Sequence, residues 1–434
     1  METSADVAQP VTQPCPECGA QVAFDERYVN WCAACDWNVD PGAPDPEPGR
    51  IAAARRRIAR TYGDRLAAEM ERSGVTAGPV GRDAATLLAY GISLLVHGGT
   101  VLLVAAGVLL ILLGRSTGVL PAVGVLMLGL AWLMRPRRMR LTTYTPVLHR
   151  ADAPALFELV DEVAGVVGTS GVHAVVVTTE ANAAVTTYGL RGRRVLFLGL
   201  GLWEILSPQE RVALLGHELG HFANGDTRRG AVMADAMRAL VTWFSMLAPT
   251  SPIGLMDRFV NAVVFLPRWA VYGLLLLLDH LTLRASQRAE YLADMSAARA
   301  GSTEAAVALM DRLLVCVPVE DHLRRESVAA QMKGGPGGRA ARDQAEDGLW
   351  ERLAGRFGAV PEREYERLRR VAARRGHSVD STHPPTHLRR RCAATFGPFA
   401  PQVAYDPPRA VALAGELAPA RAELARRVIR DLAR

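Results

Sequence analysis

The chain has 434 residues, half of them apolar, and a net charge of +6 in which arginine supplies nearly every positive group; Lys333 is its single lysine. That length allows two or three units with cores of their own, and a small basic excess with few aromatics speaks against nucleic acid as a partner. Six cysteines, four of them in close pairs and with no secretory signal ahead of them, speak against a disulfide framework and for a reducing compartment.

Residues 1–40 contain Cys15-Pro-Glu-Cys18 and Cys32-Ala-Ala-Cys35. Two such pairs, one hairpin apart, supply four thiolates to one tetrahedral zinc, which replaces the core that so short a segment cannot build. The alternative is a tail of free thiols. The expected zinc ribbon lacks a basic, aromatic surface, so a protein partner suits it better than nucleic acid.

Residues 41–85 begin with a stretch of alternating prolines, which forbids helix and reads as an extended linker. From residue 50 to 72, Ile51, Ile58, Tyr62, Leu66 and Met70 recur at near-helical spacing among Arg55, Arg56, Arg57 and Arg60. This predicts a basic amphipathic helix, either on a membrane surface or solvated.

Residues 86–140 predict a transmembrane hairpin. Residues 93–113 carry no formal charge and are long enough to cross about 30 Å of hydrocarbon, and 117–134 form a second apolar span after a tight connection. His97 reads as a packed residue rather than a ligand. The connection carries only Arg115, whereas Arg65, Arg72 and Arg82 precede the hairpin and Arg135, Arg137, Arg138 and Arg140 follow it. Both ends are therefore expected in the cytoplasm.

The remainder, 141–434, predicts a soluble domain: a helix over 152–167, then strands over 173–179, 184–190 and 195–200, the last two joined by a turn at 191–194. Ser207-Pro-Gln-Glu210 predicts a capping box opening the next helix. That helix carries His217-Glu218-Leu-Gly-His221. Histidines four apart share one face and converge on a metal, while Glu218 can reach a water bound there and act as general base. Gly216 and Gly220 permit close packing of this helix.

A catalytic zinc needs a third protein ligand and an open position. Asn224 and Thr227 stand where the metzincin arrangement requires Gly and His, so the third ligand must come from elsewhere. Ser286-Gln-Arg-Ala-Glu290-Tyr-Leu-Ala-Asp294 offers Glu290, with Asp294 one turn on to orient a ligand histidine. Between the two metal segments, 231–283 is apolar but interrupted by Asp235, Arg238, Pro267 and Arg268. It reads as a second membrane hairpin or a peripheral one.

Together these features resemble the HtpX-like membrane metalloproteases, grouped with the CAAX prenyl endopeptidases. The likeness rests on the early hairpin, His-Glu-Leu-Gly-His followed by Asn224-Gly-Asp226, the Glu290/Asp294 helix, and Thr382-His383-Pro384-Pro385 ahead of Arg389. It implies a mainly α fold with a small β-sheet: a zincin-like peptidase domain on transmembrane helices, here with an added N-terminal ribbon. It further implies that Asn224 supports the ligands, that His383 and Arg389 lie near the scissile carbonyl, and that Asn182-Ala183 belong to an edge strand that pairs with substrate.

The expected activity is a zinc-dependent endopeptidase with one catalytic and one structural zinc. It would act on membrane proteins or membrane-associated peptides at the cytoplasmic face of the cell membrane, in protein quality control. The competing readings are a processing protease for one membrane-linked substrate and a non-catalytic receptor with a partner-binding ribbon. The Gly/Arg/Ala-rich stretch 333–348 reads as a flexible insertion, and His387 as a surface residue.

Overall fold

A computed structural model describes residues 12–42, 50–73, 84–135, 139, 141, 145–189, 191–251, 254–332, 338–376 and 383–431. The proline-rich stretch 43–49, Arg82, Arg137, Arg138, Arg140, Leu190, Thr382 and the glycine-rich 333–337 lie outside the described residues. So do the side chains of Ile51, Arg55, Arg56, Ile58, Arg60, Asp226 and Thr227. Among the described residues the fold is mainly helical, with one two-stranded and one four-stranded sheet.

The cysteine segment is built from two tight knuckles. Strands Thr12–Pro14 and Gln21–Ala23 pair antiparallel around the first, where Gly19 takes a left-handed φ of 71° and its N–H donates to the Cys15 carbonyl. In the second, Asp36 and Asn38 take φ of 60° and 54°, and the Asp36 N–H donates to the Cys32 carbonyl at 2.9 Å. Asp and Asn tolerate that conformation better than other side chains.

Helix Arg50–Ser73 buries Leu66, Ala67 and Met70 against Tyr291, Leu388 and Cys392. The apolar face read from its spacing thus packs on protein in its C-terminal half. Helices Ala84–Leu113 and Val119–Met134 form the hairpin. They meet backbone to backbone, since a Cβ on Gly107 would stand 2.9 Å from the Gly124 carbonyl oxygen. Leu95, Leu102 and Leu126 on its outer surface are more than two-thirds exposed, an apolar patch of the kind that a bilayer covers.

Among the described residues, two helices are long and apolar enough to cross a membrane, Ala84–Leu113 and Leu255–Gly301. Val119–Met134 has 16 residues and reaches about 24 Å, short of a full hydrocarbon core. Helix Asp226–Met246 packs between the hairpin and the long helix, around Ile92, Val96, Ala239, Leu240 and Leu278. His97 bridges these elements, with Nε2 3.3 Å from the Val232 carbonyl. Arg268, beside Pro267 in the long helix, donates to the Phe244 carbonyl at 2.7 Å and stacks on that ring. A basic group in an apolar stretch is thereby satisfied within the protein.

The four-stranded sheet runs in the order Val147–Leu148, Ala174–Thr178, Arg193–Gly199, Ala183–Tyr188. Its central pair is parallel and its outer pairs antiparallel. Val175, Val177, Leu196 and Leu198 bury one face in the core shared with helices Pro154–Val167 and Pro208–Ala223. Strand Ala183–Tyr188 is left at the edge. Most of the stretch read as a flexible insertion is ordered: Gly338–Glu346 is a helix packed against Cys316–Met332 and Pro407–Asp431, with Glu346 paired to Arg430 at 2.6 Å. Amphipathic alternation of Ala with Arg and Glu, not the flanking glycines, decides that segment.

Candidate metal centre

Helix Pro208–Ala223 starts from a capping box in which Ser207 and Glu210 each satisfy the other's backbone N–H, at 3.4 and 2.8 Å. Arg312 holds the Glu210 carboxylate from the far side at 3.2 Å. Nearly every residue from Val212 to Gly220 is buried, because the C-terminal part of the long helix lies directly across it. The crossing depends on glycine. A Cβ on Gly216 would meet the Ser296 carbonyl at 2.9 Å, one on Gly220 the Ser296 Cβ at 2.9 Å, and one on Gly301 the Ala213 nitrogen at 2.8 Å.

This contact brings Glu290 onto the histidine pair. His217 and His221 stand with ring centroids 4.9 Å apart and planes nearly perpendicular. Glu290 Oε2 lies 3.5 Å from His217 Nε2, and Oε1 lies 3.7 Å from His221 Nε2. Ligands about 2.0–2.1 Å from a tetrahedral zinc are separated by about 3.3 Å, so two imidazoles and a carboxylate at these spacings fit that ion. Glu290 Oε2 is buried and makes no hydrogen bond, as expected of an oxygen whose partner is a cation. Glu218, next to His217, is also buried.

His383 comes to the same carboxylate, with Nε2 3.2 Å from Glu290 Oε2. His217, Glu290 and His383 form the tightest trio of donor atoms there, and His221 engages the other oxygen of Glu290. His217, His221 and Glu290 sit on two packed helices, whereas His383 lies on a loop at the remaining side.

Behind His217, Asp294 is fully buried, with Oδ1 3.0 Å from His217 Nδ1. Arg389 grips it with two hydrogen bonds, Nε to Oδ2 at 2.9 Å and Nη2 to Oδ1 at 2.6 Å, and reaches Glu290 Oε2 at 3.5 Å. The resemblance places Arg389 near the scissile carbonyl. Its guanidinium is 2% exposed and lies against the Asp294 and Glu290 carboxylates, because two buried anions need a cation. Burial alone would disfavour its charge, but Asp294 and Glu290 more than offset that and push the guanidinium above its usual value.

Asn224 caps the end of the helix, its Nδ2 buried without a hydrogen-bond partner. Asn182 is exposed and Ala183 half-buried at the start of the edge strand. His387 is half-buried rather than at the surface.

The four cysteine sulfurs also converge, Cys15 to Cys35 at 3.7 Å and Cys18 to Cys32 at 3.6 Å, a donor set suited to a structural zinc. What sequence reasoning missed is where this ribbon sits. It lies on helix Glu362–Arg375, whose Arg363, Arg367, Arg370 and Arg374 share one face and reach its carbonyls and carboxylates. Their spacing of four, three and four residues is a helical stripe that was present in the sequence as a signal.

The model of one protein family, described as Peptidase family M48, matches residues 151–394, more than half of the chain. Among similar curated proteins are three named Protease HtpX. The one from Pseudomonas putida strain GB-1 is 28% identical over 170 residues, covering 36% of this chain and 54% of that protein. The one from Pseudomonas syringae pv. tomato is 28% identical over 175 residues, covering 37% and 56%. The third, from Pseudomonas fluorescens strain Pf-5, is 29% identical over 146 residues, covering 31% and 46%. The chain thus spans about half the length of the curated relatives it matches. No solved structure matches it significantly.

Proposed function

We propose that this chain, which belongs to peptidase family M48, is a multi-pass zinc endopeptidase that cleaves membrane proteins or membrane-associated peptides at the cytoplasmic face. The observation that carries the reading is the Glu290 carboxylate set between His217 and His221 across a helix crossing, with Glu218 buried beside them. His217, His221 and Glu290 would hold a zinc ion, which would supply a Lewis acid and acidify water at that position.

The protein's own groups do the rest. Glu218 takes a proton from the attacking water and returns it to the leaving amine. Asp294 accepts from His217 Nδ1 and so holds that ring in the tautomer whose Nε2 is free to bind metal. Arg389 balances the charge of Asp294 and Glu290. The outer edge of strand Ala183–Tyr188, entered through Asn182-Ala183, offers backbone groups to an extended substrate. His383, on the loop side of Glu290, would donate to the carbonyl oxygen.

Glu290 lies twelve residues beyond Leu278 on one continuous helix, about 18 Å along its axis from the last strongly apolar run. That spacing supports a site near the bilayer surface. The arginine distribution supports a cytoplasmic site, and a quality-control role is the biological reading consistent with it. A partner-binding receptor is disfavoured, since the ribbon's Asp36 and Asp40 already engage this chain's own arginines.

The test is Glu218→Gln in purified full-length protein. It is expected to retain both metals while losing cleavage of a membrane substrate by about 10²-fold or more. Cleavage at the wild-type rate would remove Glu218 from the mechanism.

A further inference from the structure

The ribbon's contacts with the peptidase domain are unusually dense for so small a unit. Arg370 donates to the Ala33 carbonyl at 2.8 Å, pairs with Asp36 at 2.6 Å, and covers the buried Trp31 ring at 4.8 Å. Arg374 takes the other oxygen of Asp36 at 2.6 Å, and Arg375 forms a two-point pair with Asp40 at 2.6 and 2.7 Å. Arg363 donates to the Ala23 carbonyl, and Arg367 to the Val39 carbonyl at 2.9 Å.

Asp36 directly follows Cys35 and is aimed by the knuckle that returns its N–H to Cys32. The docking groups are therefore presented by the metal-binding turns themselves. The ribbon's apolar core is very small, essentially Cys15, Val22, Trp31, Cys32 and Val39, too little to fold the segment without metal.

A second set of contacts leads from the docked helix to the active-site segment. Arg369, on the same helix, pairs with Asp311 at 2.9 Å, and the other oxygen of Asp311 holds Arg390 at 2.9 Å. Arg390 neighbours Arg389 on helix Thr386–Ala393. Asp311 is thus a shared carboxylate between the helix under the ribbon and the helix that grips Asp294.

We propose that the ribbon is a metal-dependent clamp: its four-cysteine metal holds helix Glu362–Arg375 in place, and through Arg369, Asp311 and Arg390 it positions the segment bearing His383 and Arg389. Its two states are a metal-loaded, docked ribbon and a metal-free, released one. Release takes Asp36 from Arg370 and Arg374 and Asp40 from Arg375, leaving Arg367 and Arg370 only Glu364 and Glu366 of their own helix, and the loss of those ties loosens that helix. The inference takes from the proposed function only the place of His383 and Arg389, and its readout is independent of peptidase activity.

Hydrogen exchange and metal content of full-length protein in nanodiscs test it. Cys32→Ser/Cys35→Ser is expected to lose one of two metals and to exchange about tenfold faster or more in both 362–375 and 386–393. Asp36→Asn/Asp40→Asn keeps the cysteines and a side chain that tolerates the left-handed turn. It is expected to keep both metals while accelerating the same two segments. Acceleration confined to residues 12–42 in both variants, or wild-type protection of 386–393 after loss of the ribbon metal, would overturn the clamp.

Discussion

Replacing Arg389 with Met removes the cation that two buried carboxylates share. Asp294 is wholly inaccessible and Glu290 nearly so, and the guanidinium supplies two hydrogen bonds to the first and a 3.5 Å contact to the second. Methionine fills much the same volume, so packing changes little and the loss is electrostatic. Breaking a buried pair from one side costs about 3–5 kcal/mol, because the remaining charge stays buried. For a domain the size of residues 151–394, about 2–4 °C of melting temperature corresponds to each kcal/mol, so a fall of about 6–20 °C is expected. Asp294→Asn in the Arg389→Met background removes one stranded anion and is expected to recover part of that loss, a coupling that a double-mutant cycle measures. Thermal melts of detergent-solubilised protein, with and without chelator, are the assay. The shift should be larger without metal, since the ion also neutralises Glu290. A single-variant shift below about 2 °C, or a double variant no better than the single, would refute the view that Arg389 acts as the counter-charge of this site.

Three further outcomes rest on cysteine chemistry and helix packing. Burial pushes the thiols of Cys316 and Cys392 up to about 12, so at pH 8 both are expected to resist an impermeant maleimide, while the four ribbon cysteines react only after chelation. With the proposed orientation, those four label in inverted membrane vesicles and not in intact cells; labelling from outside would reverse the topology. Gly220→Val puts a side chain where Ser296 Cβ would already stand 2.9 Å away and prises apart the helices that carry His221 and Glu290. The metal of that site should then be stripped at a chelator concentration at least about tenfold lower, with the ribbon metal unaffected; equal loss from both sites would contradict the assignment.

The features legible in the sequence are those set by local geometry. The turn of an α-helix puts His217 and His221 on one face, the Ser207–Glu210 cap needs only four residues, and each cysteine knuckle is complete within a few positions. An uncharged run of twenty residues declares its affinity for lipid without reference to any neighbour. The grouping of Glu290 with that histidine pair was reachable by elimination, because a catalytic metal requires a third ligand. Tertiary structure decided the rest. Asp294 and Arg389 are 95 residues apart, and the ribbon meets its arginine row across more than 300. Nothing in the spacing of a lone arginine says which buried carboxylate it will neutralise, since that depends on which charges packing removes from water together. The same reasoning explains why Arg389 lies against Asp294 and why the ribbon is occupied by its own chain: buried or clustered charges take partners by proximity in the fold, and helix packing, such as the crossings at Gly216, Gly220 and Gly301 around the histidine pair, determines what is near.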